Sequence, residues 1–150
     1  MTTVHASAVL VGPRAVLIRG PSAAGKSRLA WELIEASRNG AVRFARLVGD
    51  DRVLLQAAGG RLLVRPAEAL AGMIELRGVG ILRRDHEACA VVGLVVDLAA
   101  ADAERLPERD QTVVEGLSIP RLAVAPTVAA LPLVLAGVTS CGAVNVSKVT

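Results

Sequence analysis

Apolar residues in this chain fall in short runs closed by Gly, Pro, Asn or Asp, and the period of the runs changes near residue 26. Ser7–Leu10 predicts a first strand turned at Gly12-Pro13, and Ala15–Arg19 a second strand that ends directly at Gly20. From Lys26 the spacing is helical: Leu29, Leu33 and Ala36 share one face, with Trp31, Ile34 and Glu35 around it. Asn39-Gly40 supplies the stop. Strands are predicted at Phe44–Val48, Arg52–Gln56 and Arg61–Val64, with Gly59-Gly60 as the turn between the last two. Pro66–Leu70 reads as the start of a short helix, and Ile74–Leu76 and Gly80–Leu82 as extended. Ala90–Asp97 is a buried strand of β-branched residues, and Leu117–Val124 a later strand. Thr127–Ala136 predicts a helix kinked at Pro132. With no repeat and no linker, residues 1–150 read as one α/β domain.

Composition narrows this. Of the 150 residues 53% are apolar, yet there is one Trp, one Phe and no Tyr, so the core must be aliphatic. The same poverty argues against modules that stack nucleic-acid bases on aromatic rings. A net charge of +3 suits a phosphate-rich ligand or an acidic partner, but the arginines are scattered and no run exceeds Arg83-Arg84, so no nucleic-acid surface is expected. Cys89 and Cys141 are too few for a metal quartet or a disulfide framework and read as free thiols. Met1–His5 has no positive n-region, and Val128–Val138 is far short of the roughly 20 residues of a membrane span. The expectation is a cytoplasmic protein.

The chemistry begins at Gly20-Pro21-Ser22-Ala23-Ala24-Gly25-Lys26-Ser27, which fits the phosphate-binding pattern G-x-x-x-x-G-K-[ST] at every fixed position. It lies between an apolar strand and an amphipathic helix, as the pattern requires. Gly20 and Gly25 let the backbone curl so that successive N–H groups face inward, and the helix adds its partial positive charge. Lys26 can reach the β- and γ-phosphates of a nucleotide such as ATP, and Ser27 can offer a hydroxyl to Mg²⁺. A simple glycine-rich turn is the bland alternative.

Other polar residues must say what is done with the phosphate. Asp50-Asp51 follows an apolar strand through Gly49, where a carboxylate could anchor Mg²⁺ or take and return a proton; Gly-Asp-Asp is also an ordinary turn sequence. Asp97, ending another apolar run, competes for that role or merely ends a strand. Alternation in Met73–Ile81 places Glu75 and Arg77 on the same side of a strand, as ligand-facing groups or as a surface pair. His5 opens the first strand, and a lone N-terminal histidine is usually a surface residue. His86 lies in the polar turn Arg83–Glu87 and reads as solvated.

Together, His5, Gly20–Ser27, Asp50-Asp51-Arg52-Val53 and Ile74-Glu75-Leu76-Arg77-Gly78-Val79-Gly80-Ile81 resemble, in order, the motifs of the HPr kinase/phosphorylase catalytic domain. The similarity covers roughly residues 5–125, and it is far more specific than the phosphate loop alone. It implies a phosphate-loop kinase domain with a mixed sheet, related to phosphoenolpyruvate carboxykinase and usually hexameric. The implied activity is ATP- and Mg²⁺-dependent phosphorylation of a serine on an HPr-like phosphocarrier protein, and removal of that phosphate by phosphorolysis. By the same resemblance Lys26 holds phosphates, with Gly20, Pro21, Ser22, Ala23, Ala24, Gly25 and Ser27 forming the loop. Ser27 and Glu75 serve Mg²⁺, Asp50 is the acid/base supported by His5 and Asp51, and Arg77 falls near the phosphates. The chain departs from the pattern in three places. It starts almost at His5, without the family's separate N-terminal domain. Asp50 follows Lys26 at 24 residues, so the connection Ser37–Arg43 is enlarged. Val124-Ala125-Pro126-Thr127-Val128 stands where the family has a basic Gly-Arg-Asn segment, and the C-terminal helices are shortened. The shortened form resembles alphaproteobacterial members. A small-molecule kinase with the same loop and a nucleotide-sensing regulator without transferase activity are the rival readings.

Overall fold

A computed structural model describes residues 1–104 and 110–141. The chain runs β1 (Thr2–Val4), β2 (Ser7–Val11), β3 (Arg14–Arg19), α1 (Lys26–Arg38), β4 (Ala45–Gly49), β5 (Val53–Ala58) and β6 (Arg61–Pro66). It continues through a 3₁₀ turn (Glu68–Leu70), β7 (Met73–Leu76), β8 (Gly80–Arg83), β9 (Ala90–Asp97), β10 (Gln111–Val114), β11 (Leu117–Ala123) and α2 (Ala130–Cys141). Two-residue turns set much of the pairing. Gly12, at φ +60, opens the turn that pairs Val11 with Arg14, and Gly59-Gly60, both at positive φ, pair Ala58 with Arg61.

The main sheet is mixed, in the order β1-β5-β6-β9-β3-β2-β4. β9 is its hub. It runs parallel to β3 along one edge, while its other edge is shared by β6, antiparallel at Ala90–Val91, and β11, parallel at Val95–Asp97. The register of β3 against β9 slips between Ala15 and Val16, so Gly93 is the extra residue of a bulge. A Cβ there would come within 2.8 Å of the Arg14 side chain, which is why the apolar run is broken by glycine.

Alternation along the strands divides the core in two. Val16 and Ile18 face α1 with Val9, Leu29, Leu33, Ile74 and Leu94. Ala15 and Leu17 face the other way, against Val53, Leu55, Leu62 and Val64 of β5 and β6. The sheet therefore curls, closing its β5–β6 part over the face opposite the helix. Both clusters are aliphatic, as the composition requires.

Several expectations are corrected. The pattern alone does not mark β1 and β10: three residues at β1 and four at β10 carry little periodicity, and pairing with β5 and β11 makes them strands. The β10–β11 turn did leave a signal, Glu115-Gly116, both at positive φ. Arg77 does not continue the strand of Glu75; β7 ends at Leu76 and Arg77–Val79 form the hairpin turn, with Gly78 at φ +84 and Val79 N donating to Leu76 O at 3.1 Å. The segment after Pro66 forms only a 3₁₀ turn. The last helix begins at Ala130 instead of Thr127, so Pro132 falls in its first turn, where a missing N–H costs no helical bond.

Candidate active site

Strand direction gathers the polar residues at one edge. β3 ends at Arg19, next to Gly20, and the antiparallel β2 begins there, Ser7 opposite Ile18. β4 leaves at the same edge, Gly49 opposite Ala8, and β5 starts beside it, Val53 opposite Val4. The carboxyl ends of β3, β4 and β9 thus face one side, as in other α/β sites. Gly20–Ser27, His5 and Asp50-Asp51 all lie along it.

The loop has the shape its glycines demand. Gly20 lies at φ +157 and Gly25 at φ +95, and a Cβ on Gly20 would sit 3.2 Å from Ala24 and from Leu98. Ala23 takes φ +66, a conformation that costs a residue with a Cβ free energy and that concentrates at functional loops. α1 has no side-chain cap and no acidic residue in its first turn. Its first helical bond is Leu29 N to Gly25 O, so the N–H groups of its first turn, Lys26 to Arg28, face outward without a helical acceptor, while the Ala24 N–H closes the loop on Pro21 O. Lys26 Nζ donates to the carbonyls of Gly20 (2.8 Å) and Pro21 (3.1 Å), which keeps it over the loop.

Asp50 sits one residue beyond β4 and is 3% exposed. Its Oδ1 accepts from Ser27 Oγ at 2.7 Å and from Ser7 Oγ at 2.6 Å, and its Oδ2 accepts the Glu75 backbone N–H at 3.1 Å. One carboxylate thereby joins the phosphate loop, the central sheet and the β7–β8 hairpin. Just before it, Gly49 lets the end of β4 pack closely on β5 and β6, because a Cβ there would lie 2.7 Å from Val53 and 3.3 Å from Pro66. Asp51 follows at φ +67 with its side chain exposed. Ser7 was not singled out from sequence; nothing in an apolar strand beginning marks a serine as special.

The remaining candidates stand at the margin. His5 is exposed in the bend between β1 and β2. The side chains of Glu75 and Arg77 are exposed, the first on β7, the second at the hairpin tip, and no ion pair joins them. Asp97, the competing carboxylate, is bound differently: Arg19 grips it through Nε (2.7 Å) and Nη2 (2.8 Å), and Arg121 through Nε at 2.6 Å. Burial works against its charge, but the hydrogen bonds and charges of Arg19 and then Arg121 outweigh this, and its carboxyl lies below the ordinary value. Arg121 also bonds Asp102 and Asp110, which raises its pKa further. Asp97 is a structural anchor. His86 is exposed, as expected, and Cys89 is an exposed free thiol, while the Cys141 side chain lies outside the described residues.

The donors suit a hard cation and a phosphate chain. Among the described residues no three His, Cys, Asp or Glu side chains converge on one point. A cation at the loop would therefore take few protein oxygens and share phosphates, which is how Mg²⁺ is commonly held. Also among the described residues, no helix is long and apolar enough to cross a membrane.

Comparison with known proteins gives this fold a family. The family model of the HPr Serine kinase C-terminal domain matches residues 1–125, ending just before α2. An HPr kinase/phosphorylase from Streptococcus thermophilus is 44% identical over 82 residues, which are 54% of this chain and 24% of that protein. One from Exiguobacterium is 34% identical over 120 residues, 73% of this chain and 35% of that protein. The chain thus spans about a quarter to a third of the curated relatives it matches. Among solved structures, the Hpr(Ser) kinase/phosphatase from Coxiella burnetii superposes with a TM-score of 0.73 over 93% of this chain and 90% of that one, at 22% identity, a likeness of fold. The chain belongs to the HPr serine kinase C-terminal domain family.

Proposed function

We propose that this chain is an ATP- and Mg²⁺-dependent protein-serine kinase whose acceptor is a serine on an HPr-like phosphocarrier protein. The observation that carries the reading is the 2.7 Å bond between Ser27 of the phosphate loop and the buried Asp50. A carboxylate bonded to the loop, with Asp51, Glu75 and His5 nearby, supports an acid/base role beside bound phosphate. A protein that only senses nucleotide needs the cradle and little else.

In this reading the loop amides and Lys26 hold the phosphates, and Arg77 reaches them from the hairpin tip. Ser27 and Glu75 would hold Mg²⁺, which supplies charge neutralisation on the phosphates when bound. Asp50 accepts the proton of the attacking serine. Its Oδ1 takes two hydroxyl donors but its Oδ2 takes one amide, so a lone pair on Oδ2 remains for that proton. His5 and Asp51 support Asp50 from the exposed side. Phosphorolysis would use the same groups in reverse, with inorganic phosphate in the cradle; we expect it to be weak, since Val124–Val128 offers no basic side chain. The family resemblance also implies a hexamer, which sedimentation would test.

The deciding experiment incubates the chain with labelled ATP, Mg²⁺ and HPr-like proteins of the host. Phosphoserine on a carrier is the expected product. Tight ATP binding without label on any carrier would leave the regulator reading in possession, and label on a small metabolite would favour the rival kinase.

A further inference from the structure

We propose that Ser7 is a positioning residue for phosphoryl transfer, holding the Asp50 carboxylate against the rigid centre of the sheet. The inference rests on the role given to Asp50 above. Ser7 is completely buried, between Ala6 and Ala8, in a cluster of aliphatic side chains. Nothing about packing there calls for a hydroxyl, and a buried hydroxyl without a partner is destabilising. Its partner is Asp50, at 2.6 Å.

The need for such an anchor follows from where Asp50 stands. It lies past the end of β4 and before Asp51, whose φ of +67 turns the chain from β4 towards β5. Backbone pairing does not fix its side chain, so its three donors must. Ser27 belongs to the loop that receives the nucleotide, and Glu75 to a separate two-stranded hairpin. Ser7 alone comes from the central sheet, where it pairs with Ile18 of β3. Ser7 on Oδ1 and the Glu75 amide on Oδ2 give each oxygen one donor, which fixes the plane of the carboxylate while Ser27 engages ligand. A site held from a strand keeps its geometry better than one held from loops.

The test uses Ser7→Ala and Ser7→Cys in the full chain. Cysteine keeps nearly the volume but is only a weak donor, so it separates filling from hydrogen bonding. The first readout needs no substrate: exchange of the Glu75 amide hydrogen, which reports whether Asp50 stays in place. Both variants should speed it about tenfold, the size of one lost hydrogen bond to a charged group, with β2 and β4 amides unaffected. The second is transfer to the carrier, where kcat should fall about tenfold while KM for ATP is unchanged. Within Asp50→Asn, adding Ser7→Ala should lower kcat no further. Unchanged Glu75 exchange, uniform acceleration across β2 and β4, or a cysteine variant that behaves like the parent would each overturn the proposal. If Ser7→Ala does not fold, Ser7→Cys carries both readouts. A parent chain that labels no carrier defeats the kinase reading, and Glu75 exchange then decides on Ser7 alone.

Discussion

Asp50 and Asp97 look alike in the sequence and are opposites in the structure. Each follows a run of apolar residues, each ends at the edge where the phosphate loop begins, and each accepts several short hydrogen bonds. The donors differ. Asp50 is held by two hydroxyls and an amide, all neutral, and among the described residues no cationic side chain pairs with it. Asp97 is held by two guanidinium groups, at side-chain exposures of 34% and 14%, and its charge is already matched. A carboxylate bound by neutral donors can still take a cation or a proton from outside; one bound by arginines on both oxygens has little left to offer. Position at a strand end therefore does not tell the two carboxylates apart. The charge of their neighbours does.

The largest expected effect breaks this pair apart. Asp50→Asn keeps the size and most of the hydrogen bonding but cannot accept a proton, so transfer to the carrier should fall about 10²–10⁴-fold with ATP binding retained. Asp97→Asn should leave kcat near that of the parent. Single-turnover assays on the two variants read the contrast directly, and the reverse pattern would exchange their roles.

Next in size is the cradle itself. Lys26→Ala removes a cation that lies over the loop carbonyls, and Ser27→Ala a hydroxyl facing Asp50. Loss of these contacts to phosphate and cation should weaken Mg-ATP binding by about 10–100-fold. Lys26→Ala should leave the melting temperature near the parent's, while Ser27→Ala, which strips one donor from the buried Asp50, should lower it slightly. Calorimetric titration measures the binding; unchanged affinity in both variants would remove the loop from the site.

The same contrast bears on what the sequence could show. The loop was legible because its chemistry is local: glycines, lysine and serine at fixed spacing between a strand and a helix. The strands of the central sheet were legible as short apolar runs closed by turn residues, and Gly59-Gly60 by turn chemistry. Asp97 and its arginines were not, since Arg19, Asp97 and Arg121 are brought together only by the parallel pairing of β3, β9 and β11. Ser7 was hidden for the same reason. Its partner is 43 positions away, and one serine at the head of a strand carries no period. Arg77 lies off the strand because Gly78, at φ +84, turns the chain where alternation alone would continue it.

Asp97→Asn sharpens the comparison from the stability side. The amide keeps the shape but leaves Arg19 without a charged partner, while Arg121 keeps Asp102 and Asp110. We expect a loss of about 2 kcal/mol in urea unfolding, the scale of charge-assisted hydrogen bonds at a partly buried site. In a domain of this length that is a fall in Tm of roughly 4–8 °C. A variant as stable as the parent would mean that the arginine cluster is decoration.

The smallest effect is the pH dependence of that same loss, and its sign is fixed by the structure. The Asp97 carboxyl is held below its ordinary value of 3.8, against the cost of burial, by Arg19 and Arg121. A folded-state value below the unfolded one means that the native protein binds the proton less readily than the unfolded chain does. The stabilisation is therefore fully present above 3.8 and disappears as pH falls through the lower folded value. Asp102 is shifted in the same direction by Arg121, but it is present in both proteins, so its titration largely cancels in the difference. The gap in unfolding free energy between parent and Asp97→Asn should stay constant from neutral pH down to about 5 and then narrow at more acidic pH. Denaturant titrations at a series of pH values measure it. A gap that narrows on the alkaline side instead, or that persists unchanged in acid, would show that Asp97 is held by shape and not by the charge of its two arginines.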